Sequence, residues 1–258
     1  MKKPREQLYI YGRKPVEETL VNSPKNVLRI FISERAIATD PDIEEIKKMA
    51  RDNRIPFNTV AEKKIGDYVG DVNDQGVVAL LSGYQYQDFQ EWLPTVLEQK
   101  DKLPAVLILD HIEDTHNYGA ILRTALAVGV SAVIVAKDRQ APVNATVFKT
   151  SAGAASRIPV IQVANINQTI ERLKENGFWS AAVDMAKSKR DYVWEQEFTT
   201  PMVFVLGNEG KGVSHQTLSI CDFIVSLPMT NDVESLNVSV AAAGILYEWK
   251  RQMLSDKK

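Results

Sequence analysis

Two regimes of hydrophobic patterning divide the chain. Through residues 13–82, helical spacings alternate with short β-rich runs: a helix over RKPVEETL, a strand over VLRIFIS, a helix over DIEEIKKMARDN, a short strand at FNTV, a helix over AEKKIGDYV and a strand over GVVALLS. The alternation predicts a small α/β unit with a mixed sheet. Thr39 or Asp40 before Pro41, followed by Asp42, Glu44 and Glu45, marks a helix start, because acids favour the positive end of the helix dipole. From Gly83 to Leu103 the pattern lapses into polar and aromatic residues with a proline and a charged tail, which predicts a linker over 84–103. Beyond it, six apolar runs (AVLILD, AVIVA, RIPVIQV, FWSAAV, MVFVLG and FIVSLP) alternate with helical stretches, the pattern of a largely parallel sheet covered on both faces. A last helix is predicted from near Leu236, with Ser239, Ala241, Ala242, Ala243 and Gly244 small enough to let another backbone or a ligand come close.

Composition narrows the class. The 258 residues are 45% hydrophobic and 25% charged, ordinary for a globular chain of one large or two smaller domains. A single cysteine, Cys221, excludes an internal disulfide and a thiolate cluster and fits a reducing compartment. No apolar run reaches the roughly 18 residues a bilayer requires, and no signal-type apolar segment follows the basic N-terminus, so a cytoplasmic protein without a membrane span is expected. The formal charge of −2 gives no global attraction to nucleic acid. RNA contact would have to come from local patches such as Lys2, Lys3, Arg5, Arg13 and Lys14, which face only Glu6, although a solvated terminus explains that patch equally well. His111, His116 and His215 have no acidic or cysteine partners at ligand spacing, and no metal is expected.

Three strand ends are crowded with polar residues, where open α/β sheets bind ligands. In LDHIEDTHNYGAILRTALAVG, Asn117 lies at or beside a helix N-cap, and capping alone could explain it. Arg123 follows among apolar helical neighbours, so its guanidinium must reach water or an anion, for which an RNA phosphate is a natural partner. In VFVLGNEGKGVSHQ, a buried strand breaks into Gly207, Gly210 and Gly212 around Glu209, letting main-chain amides approach a ligand. The spacing fits neither a dinucleotide fingerprint nor a phosphate-binding P-loop. In FIVSLPMTNDVESLNVSVAAAG, Pro228 ends a strand, and Ser235 and Asn237 flank Leu236 at a helix start, where capping would account for Ser235.

Taken in order, NYGAILR, LGNEGKG and IVSLPMTNDVESLNVSVAAAG resemble the three signature motifs of the SpoU/TrmH family of SPOUT RNA 2′-O-ribose methyltransferases. YGRKPVEETL and NDQGVVALL resemble the substrate-binding domain that precedes the catalytic one in bacterial 23S ribosomal RNA (guanosine-2′-O-)-methyltransferases. The resemblance implies an α/β fold in two parts: an RNA-binding domain similar to ribosomal proteins L30e and L7Ae over 1–83, and an α/β trefoil-knot methyltransferase domain over 104–258. It implies S-adenosyl-L-methionine as cofactor, held by Leu206, Gly207, Asn208, Gly210, Leu227 and Leu236. Asn117, Arg123, Glu209, Ser235 and Asn237 would carry catalysis, with Asn117 and Arg123 toward the RNA. It further implies a homodimer through the C-terminal helix, where Ile245, Leu246, Trp249 and Met253 form an apolar stripe that packing on the chain's own sheet would explain equally. A tRNA 2′-O-methyltransferase of the same fold and a non-catalytic RNA-binding protein are the alternatives.

Overall fold

In the first unit, strand β1 (Leu8–Tyr11) runs antiparallel to β4 (Val77–Leu81), β4 antiparallel to β2 (Val27–Ser33), and β2 parallel to β3 (Phe57–Val60), giving the sheet order β1-β4-β2-β3. The computed structural model describes residues 8–185, 188, 191–208, 210–230 and 235–255. The mixed sheet predicted from the pattern is present. The parallel β2–β3 pair needs a crossover, supplied by α2 (Glu34–Thr39) and α3 (Asp42–Asp52). β2 is buried on both faces: Ile30 and Ile32 are fully buried, and Phe31 packs with Ile65 of α4 (Glu62–Val69) and stacks on Tyr68. Helix α1 (Arg13–Asn22) buries Val16 and Leu20.

Two of the five residues read as a basic patch are neutralised. Arg13 pairs with Asp40 at 2.8 Å and Asp42 at 3.0 Å, and Lys14 pairs with Glu17 and Glu18. Lys2, Lys3 and Arg5 lie outside the described residues. The first unit also takes in residues 143–157 from far along the chain. Within that segment α7 (Ala145–Thr150) is capped by Asn144, Lys149 Nζ donates to the Asn73 carbonyl at 3.0 Å over the Tyr11 ring, and the Ala155 carbonyl accepts from Tyr84.

The second unit holds residues 86–142 and 158–258. Its six strands are β5 (Ala105–Asp110), β6 (Ala132–Ala136), β7 (Val160–Val163), β8 (Trp179–Val183), β9 (Met202–Gly207) and β10 (Phe223–Val225). All neighbours are parallel, in the order β10-β8-β9-β5-β6-β7. β5, β6 and β9 are buried at every position, as continuous apolar runs require. The stretch expected to link the domains contains a helix, α5 (Phe89–Leu97), whose Phe89, Trp92, Leu93 and Val96 join Val106, Ile134 and Ile161 in the core. On the sheet's flanks lie α6 (Thr115–Val128), α8 (Ile166–Glu175), α9 (His215–Ile220) and α10 (Val238–Ser255), with α6 packed on α10. Ile245, Leu246 and Trp249 of α10 are buried in this unit, so they are core and not a docking stripe. Among the described residues no helix is long and apolar enough to cross a membrane.

Candidate active site

The carboxyl end of β9 carries the glycine turn. A Cβ on Gly207 would lie 2.0 Å from the Gly212 carbonyl carbon and 2.1 Å from the Val213 nitrogen. The turn folds its own main chain back over residue 207, which is why only glycine fits there. It is closed by Asn208 N donating to Gly212 O at 3.1 Å, by Gly212 N donating to Asn208 O at 2.8 Å, and by Gly210 N donating to Asn208 Oδ1 at 3.0 Å. The other side of the Asn208 amide donates to the His111 carbonyl at 2.9 Å, fastening this turn to the loop after β5.

That loop is itself under constraint. His111 has φ +66°, a left-handed conformation that costs a non-glycine residue on the order of 1–3 kcal/mol. It is held there by Asn208, by Ile112 N donating to Gln140 Oε1, and by Ala141 N donating to Ile112 O. The His111 ring meets the buried Asp110 carboxylate through Nδ1.

Helix α6 opens three residues earlier than the sequence pattern places it. Asp114 is its N-cap, accepting from His116 N at 2.8 Å, so Asn117 sits inside the first turn and capping does not explain it. Asn117 Oδ1 accepts instead from Asn237 Nδ2 at 3.0 Å, across 120 positions of sequence. Asn237 also caps α10, its Oδ1 accepting from Ser239 N at 2.9 Å and Ser239 Oγ at 2.6 Å. The capping role considered for Ser235 therefore belongs to Asn237; Ser235 and Leu236 precede the helix and are exposed. Leu227, just beyond β10, lies against α10 where Gly244 leaves room: a Cβ at 244 would come within 2.7 Å of Leu227 Cδ1.

Register places the remaining parts. Val183 of β8 pairs with Leu206 on one side and Val225 on the other, so the ends of β9 and β10 stand level, about 10 Å apart across β8. Asn117, Asn208 and Asn237 thus tie the three segments together at the carboxyl edge of the sheet. Arg123 is not drawn into this cluster. It is exposed, about 9 Å along α6 and about 120° around it from Asn117, and makes no hydrogen bond or ion pair among the described residues. Glu209 lies outside the described residues. Sequence reasoning missed Asp110, His111 and Asp114; the adjacent Asp-His pair at a strand end was the available signal. At the opposite end of the sheet, Asp222 accepts from Ser180 N and Oγ, each at 2.8 Å, and pairs with Lys174 at 2.8 Å. Beside it, burial pushes the Cys221 thiol up to about 11.

A parallel sheet with three polar segments stitched at its carboxyl edge, one of them a glycine turn, is the arrangement at which open α/β proteins bind ligands, and comparison with known proteins names the class. Residues 104–247 match the SpoU rRNA Methylase family, and residues 9–87 match the family described as RNA 2′-O ribose methyltransferase substrate binding. The chain belongs to the SpoU rRNA methylase family. Among its relatives, a Staphylococcus saprophyticus protein named for the TrmH family of tRNA/rRNA methyltransferases is 42% identical over 256 residues, covering 98% of this chain and 99% of the relative. The 23S rRNA (guanosine-2′-O-)-methyltransferase RlmB of Pseudomonas putida is 40% identical over 243 residues, covering 94% and 96%. The crystal structure of the SpoU methyltransferase AviRb from Streptomyces viridochromogenes has the same fold, with a TM-score of 0.79 at 22% identity over 97% of this chain and 91% of that one.

Proposed function

We propose that this chain transfers a methyl group from S-adenosylmethionine to a ribose 2′-hydroxyl of RNA, and that the target is a guanosine of 23S ribosomal RNA. The observation that carries the reading is the stitching of the three motif segments by Asn117–Asn237 and Asn208–His111, which assembles them on one edge of the sheet. The match of residues 9–87 to a substrate-binding family of RNA 2′-O ribose methyltransferases supports RNA as the substrate, and the name of the Pseudomonas putida relative supports ribosomal RNA. In this reading residues 1–83 bind RNA, residues 104–258 form the knotted methyltransferase domain, and the protein works in the cytoplasm.

The residues present fit the cofactor. The turn's own main chain fills the place of a side chain at residue 207, whereas a Cβ at Gly210 would meet, among the described residues, only Asn208 Oδ1 at 3.6 Å, so the turn leaves open main chain there for a flat ligand. Leu206, Gly207, Asn208, Gly210, Leu227 and Leu236 would hold the adenosine through main-chain groups. When bound, S-adenosylmethionine supplies an electrophilic methyl on a sulfonium, a good leaving group. The chain's task is then to align the attacking hydroxyl. Asn117, braced by Asn237, positions the substrate side, and Ser235 shapes the pocket near it. Glu209 would order the glycine turn or bond on the substrate side. Arg123 stays protonated in ordinary surroundings, so we assign it a phosphate contact that lowers the cost of developing alkoxide charge.

Dimerisation belongs to the same reading. Val240, Tyr247 and Leu254 are 55, 57 and 61% exposed and recur every seven residues, an apolar line on the outer side of α10. Tyr247→Glu should shift sedimentation from dimer to monomer; a dimer that survives at micromolar concentration would move the interface elsewhere. The activity is tested by incubating the purified protein with labelled cofactor and separately with 23S ribosomal RNA and tRNA. Label in 23S RNA supports the reading, label confined to tRNA replaces the substrate, and no label in either removes the activity.

A further inference from the structure

A cavity of about 340 Å³ opens beside the stitched segments, at the carboxyl ends of β5, β6 and β7 and under the first turn of α9. Among the described residues, none of the glycine turn or of the Leu227–Leu236 segment assigned to the cofactor lines it. Its size stands at the low end of small-molecule sites, enough for one compact ligand. The position is the crevice beyond the strand ends where open parallel sheets bind ligands.

The walls are polar in a particular way. Asp110 is 3% exposed, and its Oδ2 lies 3.4 Å from both Ser214 N and Thr217 Oγ1. Its other oxygen holds His111 Nδ1, which orients the imidazole and leaves Nε2 as its remaining polar atom. Asn167 spends its Oδ1 on Thr217 Oγ1 at 2.9 Å, leaving its NH2 without a partner among the described residues. The side chains of Gln216, Asp138 and Arg139 likewise make no hydrogen bond or ion pair among the described residues. Ala136 and Ile166, both buried, add an apolar surface.

Two carboxylates against one guanidinium rule out a site built for a free anion such as inorganic phosphate. Side-chain amides, an imidazole nitrogen and a carboxylate over an apolar floor instead match the edge and face of a nucleobase, read by paired donors and acceptors as single-stranded RNA is read. Arg139, also in a left-handed conformation at φ +52°, would meet the phosphate attached to it. The backbone strain supports a site: two residues lining one cavity, His111 and Arg139, occupy a conformation that side chains rarely adopt.

We propose that this cavity is a second nucleotide subsite, receiving with its base inward one nucleotide of the substrate RNA other than the one methylated. The proposal rests on the reading of the chain as an RNA-acting enzyme and adds the residues that set sequence context: His111, Asn167, Gln216 and Asp138 toward the base, and Arg139 toward its phosphate.

The test is a titration of the full-length protein with each of the four nucleoside 5′-monophosphates, followed through the side-chain amide resonances of Asn167 and Gln216. Filter binding of substrate RNA and calorimetry of S-adenosylmethionine run in parallel on wild type, Gln216→Trp and Asp138→Asn. Gln216 is exposed on α9, so tryptophan there closes the cavity mouth without entering the core. Expected are saturable shifts at both amides with a preference among the four bases, at least tenfold weaker nucleotide and RNA binding in Gln216→Trp, an altered base preference in Asp138→Asn, and unchanged cofactor affinity. Amides that do not respond to any nucleotide, or a Gln216→Trp protein that binds RNA like wild type, overturn the subsite. Wild-type methylation of RNA is scored separately: its absence alongside nucleotide binding removes the enzymatic reading and leaves the pocket, whereas methylation without nucleotide binding does the reverse.

Discussion

Gly207→Ala adds a single methyl group where the glycine turn crosses itself. The new Cβ would sit 2.0 Å from one backbone atom and 2.1 Å from another, against an ordinary carbon contact of about 3.5 Å. Both obstacles are main chain, so no side chain can swing aside and the turn has to lift. Overpacking of this kind costs about 1–3 kcal/mol, and lifting the turn forfeits the two Asn208–Gly212 hydrogen bonds, about 0.5–1.5 kcal/mol each. The sum is about 2–6 kcal/mol. The clash lies in a turn at the edge of the sheet, so it can be relieved by local opening, and the loss falls mainly on whatever the closed turn binds. S-adenosylmethionine affinity measured by calorimetry should fall at least about 30-fold, the equivalent of about 2 kcal/mol. Far-ultraviolet circular dichroism should keep its shape, with Tm lowered by about 4–8 °C if the lower figure applies globally. Wild-type cofactor affinity and Tm in the variant would show that the turn closes differently and that Gly207 does not face the cofactor.

Asn237→Ala removes both the α10 cap and the brace on Asn117, so Tm should drop by about 2–4 °C for a loss near 1 kcal/mol, and single-turnover methylation should fall more than cofactor affinity; equal losses would contradict a substrate-side role. Arg123→Lys keeps the charge but loses the planar fork, so kcat/KM on RNA should fall at least about tenfold with Tm unchanged, because the side chain is exposed and unpaired among the described residues; full activity would refute the guanidinium contact. Cys221 supplies a pH signature. The folded state holds the thiol proton to about pH 11 while an unfolded chain releases it near 9, so unfolding becomes easier as pH rises between those values. After allowance for partial exposure the loss is roughly 2 kcal/mol, and urea midpoints should show a steeper alkaline decline in wild type than in Cys221→Ala.

Much of the fold was readable because burial is so regular. Continuous apolar runs became β5, β6 and β9 at the positions expected, and the six elements predicted for the first unit fell within one or two residues of their bounds, whereas β1 and α2 were not predicted. Where the pattern failed, tertiary contacts overrode local signals. Pro94 and polar flanks read as a break, yet Asp88 caps α5 by accepting from Gln90 N and Glu91 N, and four apolar side chains bury its inner face. The assignment of residues 143–157 to the first unit depends on long-range contacts such as Lys149 with Asn73, which no periodicity encodes. At the candidate site, the motif order pointed to the right strand ends, but not to their connections. Asn117 was compatible with simple capping until Asp114 was seen to cap α6, the α10 cap fell to Asn237 and not to Ser235, and the Asp110–His111 pair acquired meaning only with the cavity formed by strand ends remote in sequence.

The proposed reaction makes one chemical bond, from a methyl to a ribose oxygen. Purified protein, methyl-labelled S-adenosylmethionine and 23S ribosomal RNA, followed by alkaline hydrolysis, test it directly, because a 2′-O-methyl blocks cleavage at its own phosphodiester and leaves a labelled dinucleotide. One such dinucleotide, with guanosine at its 5′ position, is expected. Label recovered in mononucleotides, which places the methyl on a base, or no label in RNA at all, would contradict it.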